Sequence, residues 1–141
     1  MIALMILMML GTAPAEQPTV RLFEWDPRTK VSGDEVTFDE RVKDGRVERG
    51  ARLNGKDVEE VRFEIDIPER FKRAHKVVRI GIRLSGKGNE WRMTLPFPRG
   101  LVRGRAPWLR RCISQPCGID IGLYDTRGNE VWSWHTYESL Y

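Results

Sequence analysis

Histidine and cysteine are scarce in this chain: His75, His135, Cys112 and Cys117 are all that its 141 residues contain. A zinc site needs ligands at short recurring spacings, and one cysteine pair with two distant histidines does not supply them. The cysteines enclose Ile113-Ser114-Gln115-Pro116, so the spacing is not the C-x-x-C of a redox pair. Phosphate-loop, EF-hand and H-E-x-x-H patterns are missing, and no serine sits in a nucleophile elbow. Internal repeats, heptads and low-complexity tracts are missing too. With no motif behind a catalytic reading, and none for a metal or a cofactor, the sequence points to a non-enzymatic binding protein.

Long apolar runs are also lacking. The one strong run, Met1 to Leu10, is too short to cross a bilayer as a helix, which takes about 20 apolar residues. It is followed by small residues at Ala13 and Ala15 in an A-x-A arrangement before Glu16. That order predicts a secretory signal peptide over 1–15, cleaved after Ala15, and a mature chain without a transmembrane span. The expected location is periplasmic, cell-surface or extracellular. In an oxidising compartment Cys112 and Cys117 are expected to form a disulfide. Closing so small a loop contributes on the order of 2 kcal/mol by chain entropy.

What the chain has in quantity is charge, at 31% of residues, beside a 40% hydrophobic fraction with five tryptophans. That mixture predicts a folded domain with a strongly charged surface, and the length allows one domain over 16–141. Short alternating segments recur along it. Thr19 to Trp25 reads as a first strand stopped by Asp26-Pro27. Asp44-Gly45 and Asn54-Gly55 are type I′ hairpin signals within a charged stretch that reads as edge strands or a projecting hairpin. Val61, Phe63, Ile65 and Ile67 alternate with Arg62, Glu64 and Asp66, one face buried and one wet. Pro68 to Lys76 reads as a basic connection with about one helical turn. Val78, Ile80, Ile82 and Leu84 line the next strand, and Trp91, Met93, Leu95 and Phe97 the one after it. Pro98 to Gly118 reads as a long irregular connection. About seven short strands without a long helix predict an all-β, antiparallel β-sandwich.

The segment Gly118 to Tyr137, GIDIGLYDTRGNEVWSWHTY, reads as a closing hairpin. Asp125-Thr126-Arg127-Gly128 has Asp first and Gly fourth, as a type I turn prefers. Two aspartates five positions apart, a turn glycine and a V-W-x-W ending here fall on Asp120, Asp125, Gly128, Val131, Trp132 and Trp134. With the upstream VVRIGIRL, SGKGN and EWRMTLPF, this region, Val77 to Tyr137, resembles the intracellular proteinase inhibitor family of the BsuPI type. The resemblance implies an immunoglobulin-like β-sandwich that acts on a protease. Against that pattern the arginine-rich segment before Gly118 stands as an insertion.

Arg99, Arg103, Arg105, Arg110 and Arg111 lie there without an acid among them, together with Trp108. These five arginines contribute +5 against a whole-chain net charge of +4, so the positive field is concentrated in this segment. One reading makes it a protein-binding loop, with Arg103-Gly104-Arg105-Ala106-Pro107 entering a protease cleft in extended form. Another makes it an anion-binding arm of an envelope or adhesion protein, held to anionic polymer or surface, with Trp108 as the stacking contact and nucleic acid the least favoured ligand. A third has the arginines paired with acids on neighbouring strands. Trp132 and Trp134 share one strand face and are expected in the core, as are Trp25 and Trp91. Ser133, His135 and Asp120 or Asp125 spell a hydrolytic triad by residue type, but the oxyanion loop of such a site is missing.

Overall fold

The computed structural model describes residues 16–85, 92–96, 101–108 and 117–138. The expected leader, Cys112 of the expected disulfide, and Trp91, Arg99, Arg110 and Arg111 lie outside them. Among the described residues are ten strands and one short helix. In chain order they are β1 (Thr19–Asp26), β2 (Val31–Glu35), β3 (Thr37–Lys43), β4 (Arg46–Arg52), β5 (Glu60–Asp66), α1 (Glu69–His75), β6 (Arg79–Ser85), β7 (Arg92–Pro96), β8 (Leu101–Pro107), β9 (Gly118–Tyr124) and β10 (Glu130–Glu138). No helix among these residues is long and apolar enough to cross a membrane.

The strands form a four-stranded sheet, β2-β1-β5-β8, and a six-stranded sheet, β3-β4-β10-β9-β6-β7. The all-β expectation is met, with more strands than the seven foreseen. Two of them fall where no strand is expected: β2, which is exposed throughout and carries no apolar alternation, and β8, in the stretch that reads as irregular. Pairing is antiparallel except where β4 meets β10, a parallel contact of two register pairs. Leu22, Val61, Phe63 and Ile65 of one sheet and Ile80, Ile82, Ile119, Ile121 and Leu123 of the other are at most 1% exposed and belong to one cluster. Fully burying each such side chain contributes about 1.5–3 kcal/mol.

The turns show how local chemistry sets the register. Asp44 and Gly45 both take positive φ, 52° and 75°, so β3 and β4 are joined by the expected two-residue turn. At Asp125 the carboxylate accepts the backbone N–H groups of Arg127 and Asn129, both at 2.9 Å, and Gly128 N–H closes the turn onto the Asp125 carbonyl at 3.1 Å. Those bonds, the Asn129 N–H foremost, hold the Asp125 carboxyl below its ordinary range. Asn54-Gly55, by contrast, is not a hairpin. It begins the crossover from β4 in one sheet to β5 in the other, and its N–H groups bind the carboxylate of Glu24 instead. Helix α1 makes the return crossover, from β5 to β6, with Phe71 buried and its end turned by Lys76 in the left-handed region.

Arg49 fixes the charged β3–β4 hairpin to the rest of the six-stranded sheet. Its guanidinium donates to the His135 carbonyl at 2.9 Å and lies 4.9 Å from the Trp134 ring centroid, while its own carbonyl accepts from the buried Thr136 hydroxyl at 2.9 Å. Phe38 meets Trp134 edge-on, with centroids 5.6 Å apart. These bonds supplement a backbone ladder that is only two pairs long at this seam.

Candidate functional site

Strand alternation puts Leu22, Val61 and Phe63 inward on β1 and β5, and therefore puts Arg21, Phe23 and Trp25 of β1 and Glu60, Arg62 and Glu64 of β5 on the outer face. β8 adds to the same face. Arg62 pairs with Arg105 and Glu64 with Arg103 across the ladder, and both β8 arginines are exposed. The arginine-rich segment is thus corrected over 101–107 from a loop to the end strand of a sheet. Alternating Arg and small residues fit this position, since Gly104 and Ala106 face the core and the arginines face water. A side chain at Gly104 would run into the Phe63 ring, within 2.9 Å of Cε1 and Cε2.

Trp108, foreseen as an exposed stacking contact, is only 4% exposed, and its backbone N–H bonds to the Glu59 carbonyl at 2.7 Å. The aromatic on the outer face is instead Trp25, expected in the core but half-buried beneath Arg105, whose guanidinium carbon lies 5.4 Å from its ring centroid. Phe23 carries Arg62 at 4.4 Å and Arg21 at 5.0 Å in the same manner. None of Trp25, Phe23, Arg21, Arg62 and Glu64 stands out from the sequence as a site residue. They become visible only when the outward positions of β1, β5 and β8 are laid side by side.

Glu64 is the centre of this face. Its carboxylate accepts from Arg62 at 2.6 Å and lies 3.5 Å from Arg103 and 4.0 Å from Arg21. The Arg62 hydrogen bond, joined by the charges of Arg62, Arg103 and Arg21, holds its carboxyl below the ordinary range against the opposing effect of partial burial. Glu35 is lowered in the same way by Arg21, which binds it through two nitrogens at 2.8 and 3.0 Å. Alternation along β5 puts Glu64 on the wet face, yet its side chain is 12% exposed. The net result is a surface of guanidinium groups held over aromatic rings, with carboxylates set among them.

The residues of the C-terminal motif do not converge on this face. Trp134 is 8% exposed in the core, as expected, while Trp132 and Val131 are half-buried and pack against it. Asp125 and Gly128 build the turn. Asp120 lies across β9–β10 from His135 and accepts from Arg83 at 3.2 Å. With Ser133, Asp120 and His135 line a groove of about 540 Å³ on the outer face of the six-stranded sheet, floored by Gly81 and Gly122 beneath the Tyr124 ring. Among the described residues no hydrogen bond joins Ser133, His135 and Asp120, so the triad is not assembled. Burial raises the Tyr124 phenol above its ordinary range, with Glu130 adding to the effect.

Cys117, of the predicted disulfide, is 2% exposed and is not a free thiol. No protein-family model, no curated protein and no solved structure matches this chain.

Proposed function

We propose that this chain is an exported, non-enzymatic binding module that engages a protein partner through the outer face of its four-stranded sheet, with Arg103 and Arg105 at the contact. The observation that carries this reading is the presentation of both arginines at exposed positions of an end strand, with Arg105 over Trp25 and its cross-strand neighbour Arg62 over Phe23. Arginine and aromatic side chains dominate the energetics of protein interfaces because they bury large areas and keep directional polar contacts. The immunoglobulin-like topology, the Cys112–Cys117 bridge and a leader over 1–15 belong to the same proposal. So does the finer reading that the partner is a protease, which rests on the resemblance of Val77 to Tyr137 to BsuPI-type inhibitors. Arg99, Arg110 and Arg111 would extend the contact.

Binding of anionic polymer draws less support, because three of the four arginines of this face already have acids in reach: Arg21 binds Glu35, and Arg62 and Arg103 lie against Glu64. Such pairing lowers the field that would attract a polyanion. Titration of the purified protein against trypsin-like and subtilisin-like proteases tests the inhibitor reading. Saturable inhibition that weakens in the Arg103→Gln/Arg105→Gln variant is expected, and a flat response across the panel removes it. Retention on heparin that collapses between low and physiological salt transfers the support to the polymer.

A further inference from the structure

β8 ends the four-stranded sheet, and among the described residues nothing pairs with its outer side. The direction of its backbone groups follows from one bond. Trp108 N–H donates to the Glu59 carbonyl at 2.7 Å, which makes that pair a hydrogen-bonded one in the antiparallel ladder with β5. Hydrogen-bonded and non-hydrogen-bonded pairs alternate. Ala106, Gly104 and Val102 therefore bond to β5, and Leu101, Arg103 and Arg105 turn their N–H and C=O groups to the open edge. Pro107 is the next residue of that outward set, and having no N–H it ends the donor row.

We infer that β8 is a docking strand: an extended segment of the partner protein adds to its free edge, with Asp or Glu at two alternate positions opposite Arg103 and Arg105. The inference rests on the reading that the partner is a protein, and it states how that partner is recognised. Backbone groups supply the bonding, and the arginines supply the selection. Both arginine side chains stand on the outer face beside the edge, and that of Arg103 is 65% exposed. Every second residue of an added strand faces them, so acids spaced i and i+2 match and acids spaced i and i+1 do not.

The same arginines select against a second copy. Antiparallel self-pairing centred on Gly104 sets Arg103 opposite Arg105 twice, and like charges directly opposite each other are unfavourable. Cationic residues on an edge are a known way of keeping it from pairing with itself. Among the described residues the edge is left to a strand of opposite charge.

Fluorescence anisotropy of the purified protein with three labelled seven-residue peptides tests this. One alternates Glu with Val or Thr, one has the same composition with the acids contiguous, and one has Lys in place of Glu. The alternating peptide is expected to bind at least tenfold more tightly than the contiguous one, and the Lys peptide not at all. Arg103→Pro removes one outward N–H at a position where an edge strand tolerates proline, and a loss of tenfold or more is expected. N-methylation of the alternating peptide at the residues facing β8 gives the same loss and covers the case in which that variant fails to fold. Equal binding of the alternating and contiguous peptides overturns the inference in favour of charge alone. A dimer in sedimentation that Arg103→Pro dissolves overturns it in favour of a second copy. Peptide binding with no protease inhibited keeps the docking strand and removes the inhibitor reading; inhibition without peptide binding does the reverse.

Discussion

Glu24 accepts the backbone N–H of Gly55 through Oε1 at 2.8 Å, while its second oxygen takes the N–H of Asn54 at 2.9 Å. Glu24 occupies an inward position of β1, 9% exposed, where alternation calls for an apolar residue. Its carboxylate replaces a hairpin turn as the device that ends β4 and sends the chain to the other sheet. Gly55 makes the approach possible, since a Cβ there would lie 2.7 Å from Oε1 and 2.8 Å from Val58 Cγ2. Glu24→Ala leaves two N–H groups without their acceptor and is expected to lower stability by about 2 kcal/mol or more. Glu24→Gln, which retains one acceptor oxygen, is expected to cost less. Urea denaturation of both variants measures the difference, and equal losses would show that the paired acceptance does not matter.

The contact between Gly104 and Phe63 ties the candidate docking strand to the core. Gly104→Ala is expected to cost about 1–3 kcal/mol through overpacking, because the Phe63 ring has no flexible end to move aside. Phe63→Leu by itself is destabilising, yet in combination with Gly104→Ala the loss is expected to fall short of the sum. A double-mutant cycle by thermal denaturation reads this coupling directly.

Acid should loosen the outer face before it reaches the core. The folded-state carboxyls of Glu64 and Glu35 lie below their ordinary value of 4.5. A lowered carboxyl contributes stability that is present above the unfolded value and is lost as pH falls through the folded one. Stability is therefore expected to decline from about pH 4.5 downward. Glu64→Gln is expected to flatten that decline, and about 1 M salt to weaken it in the parent protein, where the screening length shrinks to about 3 Å. Denaturation midpoints across this range, in both proteins, check the sign.

Trp134 and Thr136 hold the seam between β10 and β4. Trp134→Ala removes a core ring touched by Phe38 and Arg49 and is expected to cost about 3–5 kcal/mol. Thr136→Val keeps the shape but leaves the Arg49 carbonyl without the hydroxyl, for a loss of about 1–2 kcal/mol. Amide hydrogen exchange over 37–52 should rise in both variants, since the hairpin depends on this seam. Unchanged protection there would count against Arg49 as its anchor.

Much of the fold is legible in the residues because period-two alternation is a local signal. Val61-Arg62-Phe63-Glu64-Ile65, Ile80-Gly81-Ile82 and Ile119-Asp120-Ile121 each announce a half-buried strand, and all three are strands. Asp44-Gly45 and Asp125 to Gly128 announce turns, and both turn. β8 was illegible because Gly104 and Ala106 carry its inward face with too little apolar bulk to mark it, while its arginines mimic a solvated loop. Asn54-Gly55 misled for the opposite reason, since its sequence fits a tight turn that a carboxylate thirty residues upstream pre-empts.

The class of structure, the central strands and their inward faces follow from the order of residues within each segment, because burying alternate apolar side chains is a property a segment expresses alone. Which strands share a sheet is settled by long-range packing, and that pairing brings Arg21, Arg62 and Arg103 around Glu64 and sets Phe23 and Trp25 on the same surface. It also decided that RGRAP is a sheet edge. Charge and aromatic contacts of this kind act between segments far apart in the chain, and no local periodicity records them.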